Sequence, residues 1–179
     1  MKGNTVKLHD KEFRVSIPAS VIDNSVSAMA ERINADYEGK KPLFLIVLNG
    51  AFMFASDLIK KIDAECEITF VKLSSYSGTN STHVVRELIG LDESLEDRDV
   101  IIVEDIIDTG ITIENTIQKL KHLKARDVKI ATLLFKPNAF QKDYTIDYIG
   151  MEIPNDFIVG YGLDYDGLGR NLPDIYKII

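Results

Sequence analysis

The sequence has one cysteine, three histidines, no extended apolar run and no surplus of positive charge, and each scarcity removes a class of function. Cys66, between Glu65 and Glu67, has no second thiol to pair with, which suits a reducing compartment. No run approaches the ~18–20 apolar residues of a membrane-spanning helix, and the N-terminus lacks the apolar segment of a secretory signal. A cytoplasmic protein without a membrane partner is expected. His9, His83 and His122 are scattered and show no metal-ligand spacing. A Gly-Lys-[Ser/Thr] phosphate-loop signature is absent. Lys and Arg total 21 against 28 Asp and Glu, a net charge of −7 with a pI near 5.0. That balance argues against a nucleic-acid-binding surface, and the densest basic stretch, Lys119 to Lys124, reads as a solvated helix face. No Pro/Gly/Ser linker, repeat or low-complexity stretch interrupts the chain, so a single domain over 1–179 is expected.

What is present alternates regularly. Val15 to Ile17 reads as a short strand before Pro18, and Ile22, Val26, Met29 and Ile33 form one stripe of a helix from about Pro18 to Ala35. Leu43 to Leu48 is a fully apolar strand ended by Asn49-Gly50, with Phe52, Ala55, Ile59 and Ile62 at helical spacing beyond. Ile68 to Leu73 and Val84 to Ile89 read as strands flanking Ser74 to His83, which is polar and flexible by composition. A strand over Val100 to Val103, a helix over about Thr112 to Lys124 and a strand over Val128 to Phe135 follow. The fold class expected is α/β: a mostly parallel, twisted sheet flanked by helices. The alternation stops near residue 146, so about 146–179, with N-terminal residues, is expected to form a small C-terminal hood over the end of the sheet.

One segment carries most of the chemistry: Val-Ile-Ile-Val-Glu-Asp-Ile-Ile-Asp-Thr-Gly-Ile-Thr, Val100 to Thr112. The apolar run reads as a buried strand that stops at Glu104 and Asp105; a third acid, Asp108, precedes the turn Thr109-Gly110-Ile111-Thr112. Such a turn offers free backbone N–H groups at a helix N-terminus, where a phosphate is favoured by hydrogen bonds and by the helix dipole. The acids beside it cannot bind phosphate; they suit sugar hydroxyls, a divalent cation or a proton. The ligand implied is a sugar phosphate, handled with magnesium.

This segment resembles the phosphoribosyl-pyrophosphate motif of type I phosphoribosyltransferases, in the Glu-Asp-Ile-Ile-Asp-Thr-Gly form of the hypoxanthine-guanine branch. The likeness extends over roughly Leu43 to Leu172. It implies that Thr109, Gly110, Ile111 and Thr112 hold the 5′-phosphate and that Glu104 and Asp105 engage the ribose hydroxyls. Asn49 and Gly50 would form the pyrophosphate loop, where many relatives carry lysine at the Asn49 position and often a non-proline cis peptide. Ile111 likewise replaces a lysine found in some relatives. Lys136 matches the lysine that contacts the purine 6-oxo group, Phe157 the ring that stacks on the base, and Ile158 the backbone that reads the purine edge. Arg170 matches an arginine aimed at pyrophosphate. Asp164 matches an acid reaching the magnesium–pyrophosphate through water, with Glu104 and Asp105 as further metal contacts. Ser75-Tyr76 matches the Ser-Tyr pair of a mobile lid that shields the activated sugar from water.

The resemblance implies transfer of ribose 5-phosphate from phosphoribosyl pyrophosphate to N9 of a 6-oxopurine, hypoxanthine or guanine, with Mg2+ and with Asp108 accepting or relaying the N7 proton. Carboxylates are weak bases, so positive charge from Lys136 that makes the purine more acidic would assist. A xanthine-preferring transferase and a non-catalytic nucleotide-sensing regulator of the same fold are the alternatives. Retention of Asp108 with Lys136, and the acidic pI, count against the second. Family resemblance implies a homodimer or homotetramer, with Phe52, Met53 and Phe54 as an interface patch or, equally, as core.

Overall fold

The computed structural model describes residues 4–75, 85–89 and 94–179. In chain order the elements are β1 (Thr5–Leu8), β2 (Lys11–Ile17), α1 (Ala19–Asp36), β3 (Leu43–Leu48), α2 (Phe52–Ile59), β4 (Glu67–Ser75), β5 (Val85–Ile89), β6 (Asp99–Ile107), α3 (Ile111–His122), β7 (Asp127–Phe135), β8 (Tyr148–Glu152), β9 (Ile158–Val159) and β10 (Ile175–Ile178).

The central sheet has the order β5-β4-β3-β6-β7-β8 and is parallel except for the edge pair β4–β5. Its inner strands β3, β6 and β7 are apolar on both faces because helices cover both. Phe44, Ile46, Ile101, Val103, Ala131 and Leu133 point to one side and pack with α1 and α2. Leu43, Leu45, Val47, Val100, Ile102 and Ile130 point to the other, with Ile113 and Leu120 of α3. The expected stripe of α1 is realised: Ile22, Val26, Met29 and Ile33 are buried, joined by Ala30. Counting only the parallel strands, the chain starts in the interior, steps outward to β4 and returns past β3 to β6. The order therefore reverses between β3 and β6, and at such a switch point the carboxyl ends of the strands diverge into a ligand crevice.

A second, antiparallel sheet, β1-β2-β10-β9, forms the hood. Two hydrogen bonds tie it to the main body: the N-terminal N–H of α1 at Ala19 donates to Asp174 Oδ1 at 2.7 Å, and Tyr161 donates to Asp57 Oδ2 at 2.6 Å. Two expectations change. Tyr148–Glu152 is not hood but the sixth strand of the central sheet, pairing in parallel with β7. Its short, mixed-burial sequence hides this, because an edge strand needs only one buried neighbour. The motif strand also does not stop at Val103: β6 continues through Glu104 and Asp105 to Ile107, since Ile106 and Ile107 still pair with Leu134 and Phe135.

Candidate active site

The carboxyl ends of β3 and β6 meet at the switch point. β3 leaves the sheet through a cis peptide between Leu48 and Asn49, and Gly50 then faces Asp105. A Cβ at Gly50 would lie 1.8 Å from Asp105 Oδ2, so the Asn49-Gly50 loop and the acid touch only because residue 50 has no side chain. Behind Gly50 stands Gly162, where a Cβ would lie 2.0 Å from the Gly50 carbonyl oxygen and where φ is +100°. Arg170 is held in the same stack, donating to the Gly162 carbonyl at 2.7 Å and pairing with Asp164 at 2.6 Å. Asp164 also accepts the Gly167 N–H at 2.7 Å. Three segments remote in sequence thus press together, Gly50 against the Asp105 carboxylate on one side and against the Gly162 backbone on the other.

Glu104 and Asp105 lie side by side although strand alternation sends them to opposite faces of β6. Asp105 is buried and accepts the Ile106 N–H at 2.9 Å; Glu104 keeps Oε2 sealed from solvent without any partner. Burial first, then the neighbouring Asp105 charge, holds Glu104 well above the usual carboxylate range. Burial also raises Asp105, against the opposing pull of Glu104, the Ile106 N–H and, more weakly, Arg170. The pair, with Asp105 buried and Glu104 half-buried, is unfavourable with both acids charged unless a cation or donor stands beside it. Its all-oxygen donors and the orphan Oε2 fit Mg2+, which takes one or two carboxylates and completes its shell with water and phosphate oxygens. The three acids expected as metal contacts do not form one protein cage: Asp164 is engaged by Arg170, and among the described residues no cluster of three or more His, Cys, Asp or Glu could hold a metal.

Beyond the acids, Glu104, Asp108 and Thr109 through Ile113 line a cavity of about 130 Å³. Gly110 is the N-cap of α3 with φ 84°, the left-handed conformation that glycine adopts without strain. Helix charge follows the dipole, with Glu114 in the first turn and Lys119, Lys121 and His122 in the last. Lys136, at the end of β7, is almost covered and brings Nζ to 3.3 Å from Asp108 Oδ2.

The hood contributes an aromatic group. Phe157 exposes 43% of its surface, and Tyr165 meets it edge-on at 5.7 Å. Phe13 packs beneath at 6.1 Å, and Lys11 Nζ lies 5.4 Å from the Phe157 ring centroid. Ile158 is buried in β9 opposite Lys177. Lys11 and Tyr165 carry no sequence signal for this place, because only the pairing of β2 with β10 brings the N-terminal hairpin here. Ser75 is the last residue of β4, its side chain outside the description; Tyr76 and His83 lie outside the described residues altogether. No described helix is long and apolar enough to cross a membrane.

Comparison with known proteins agrees with this geometry. The phosphoribosyl transferase domain family matches residues 19–166. The chain is 41% identical over 169 residues to the hypoxanthine-guanine phosphoribosyltransferase of Staphylococcus aureus strain Mu50, covering 94% of each protein. It is also 41% identical over 174 residues to the bifunctional protein TilS/HprT of Listeria innocua, covering 97% of this chain but only 27% of that protein, so it spans about a quarter of that relative's length. A crystal structure of a hypoxanthine phosphoribosyltransferase from Staphylococcus aureus superposes with a TM-score of 0.88 at 41% identity, covering 93% of this chain and 91% of the other. The chain belongs to the phosphoribosyl transferase family.

Proposed function

We propose that this protein transfers the 5-phosphoribosyl group of phosphoribosyl pyrophosphate to N9 of hypoxanthine, and of guanine, in purine salvage, giving IMP or GMP and pyrophosphate. The observation that carries the reading is the 3.3 Å approach of Lys136 Nζ to Asp108 Oδ2 at the mouth of the phosphate cradle. It sets a cation for a 6-oxo group beside an acceptor for a proton of the same base. Thr109, Gly110, Ile111 and Thr112 take the 5′-phosphate, and Glu104 and Asp105 the ribose hydroxyls. Phe157 stacks on the base, and Ile158 reads its edge through the backbone.

As the bond from C1′ to the pyrophosphate oxygen breaks and the N9–C1′ bond forms, positive charge grows on the ribose beside the two acids, which stabilise it. The base loses a proton, and Asp108 receives or relays it while Lys136 holds the electron density left on the purine. Arg170 and the Asn49-Gly50 backbone bind the departing pyrophosphate. Glu104 and Asp105 would contact Mg2+, with Asp164 reaching it through water, and the ion when bound would neutralise pyrophosphate charge.

Phe52, Ile68 and Phe70, at 44%, 43% and 45% exposure around one groove between α2 and β4, support a homodimer or homotetramer. The single unpaired thiol supports a cytoplasmic setting.

A steady-state assay with phosphoribosyl pyrophosphate and magnesium, offering hypoxanthine, guanine, xanthine and adenine in parallel, tests the reading. Turnover with hypoxanthine or guanine and not adenine is expected. Xanthine as best substrate, or no turnover despite sugar-phosphate binding, would overturn it.

A further inference from the structure

The segment after Lys136 wraps back over the N-terminus of α3. Its Gln141 N–H donates to the Thr109 carbonyl at 3.3 Å, and the Tyr144 hydroxyl donates to the Gly110 carbonyl at 2.9 Å. Lys142 pairs with Glu114, in the first turn of α3, at 2.7 Å. Phe135, Phe140 and Tyr144 stack edge to face at 5.3 and 5.2 Å, fixing the segment against β7. Contact with Gly110 is close enough that a Cβ there would sit 2.6 Å from the Phe140 ring and 2.7 Å from the Tyr144 oxygen.

These ties act on two consecutive peptide groups. In a planar trans peptide the carbonyl and the N–H point in opposite directions. Anchoring the Thr109 and Gly110 carbonyls on the strap side therefore turns the N–H groups of Gly110 and Ile111 the other way, toward the cavity of the cradle. Gly110's carbonyl already accepts the Glu114 N–H at 3.0 Å, so Tyr144 supplies a second bond to the same oxygen. The cradle has no lysine of its own, with isoleucine at 111, so orientation of backbone donors is its main means of holding an anion.

We propose that Tyr144 is a positioning residue for the 5′-phosphate: it presets the Gly110 and Ile111 N–H groups from behind the cradle, without touching substrate. This rests on the phosphoribosyl-transfer reading above. Tyr144→Phe retains the ring stack and deletes one hydroxyl. KM for phosphoribosyl pyrophosphate should rise ~3–10-fold, the equivalent of one lost hydrogen bond, while kcat and the KM for the base stay within about twofold. A merely structural role would lower the melting temperature without this split. Inorganic phosphate should also raise the melting temperature of the wild type more than that of the variant, a readout that needs no turnover. If the wild type transfers no phosphoribosyl group, the functional reading fails while the phosphate comparison still decides the role of Tyr144. If Tyr144→Phe does not fold, Lys142→Met cuts the strap at its ion pair and should weaken phosphate protection in the same direction. An unchanged KM for phosphoribosyl pyrophosphate, or unchanged phosphate protection, would overturn the proposal.

Discussion

Replacing Gly50 by alanine tests whether contact between the Asn49-Gly50 loop and Asp105 is needed for function. The new Cβ would stand 1.8 Å from Asp105 Oδ2 and 2.6 Å from its Cγ, whereas ordinary contact begins at 3.4 Å. The shortfall, 3.4 minus 1.8, means that about 1.6 Å must open between loop and carboxylate. Gly50 is not among the positive-φ glycines, so alanine brings no backbone strain and the effect is steric alone. Retreat is blocked on both sides. Asp105 is buried and bonded to the Ile106 N–H, and the Gly50 carbonyl rests on Gly162. Overpacking of this kind costs about 1–3 kcal/mol of stability. Displacing a positioning group by about 1 Å can cost ~10²-fold in rate. Gly50→Ala should therefore fold with a lowered melting temperature and lose roughly two orders of magnitude in kcat/KM. Thermal unfolding and steady-state turnover measure the two. The double variant Gly50→Ala with Asp105→Ala should regain much of the lost stability and none of the activity, because the clash is gone and so is the acid. A single variant turning over within about twofold of wild type would refute the steric reasoning.

Asp108→Asn keeps the size of the side chain and removes the proton acceptor; kcat should fall by ~10²–10⁴ with KM for phosphoribosyl pyrophosphate little changed. Full turnover would reassign the base. Glu104→Gln should stabilise the ligand-free protein at neutral and alkaline pH. The folded-state pKa of Glu104 is raised, so wild-type stability from this group is complete below the ordinary value of 4.5 and lost as pH rises through the folded value. The melting-temperature advantage of the variant should grow as pH rises above the ordinary carboxylate range; a constant difference would contradict it. The same substitution should weaken phosphoribosyl-pyrophosphate binding. Chelation of magnesium should abolish turnover, with recovery on adding Mg2+ back; turnover in excess chelator would remove the metal from the reaction.

Much of this protein is legible in its sequence because the signals are local. The apolar runs Leu43 to Leu48, Val100 to Val103 and Val128 to Phe135, the stripe of α1, and the acid–turn–helix motif each fit within one element and its neighbour. Side-chain period and turn chemistry therefore determine a parallel sheet with a glycine-capped helix N-terminus at the end of its acidic strand. Where β6 ends is not local: Ile106 and Ile107 remain in the sheet because β7 offers partners, whatever their acidic neighbours. Nor is the place of Tyr148–Glu152, which an edge of the sheet accepts without a strong pattern of its own. Tertiary structure alone decides that Gly162 and Gly50 are stacked onto Asp105, that Lys136 faces Asp108 and that Tyr144 braces Gly110. These are contacts between residues 28 to 112 positions apart (136 − 108 and 162 − 50). No periodicity encodes them; they arise only when the switch point brings strand ends together and the hood and strap close over it.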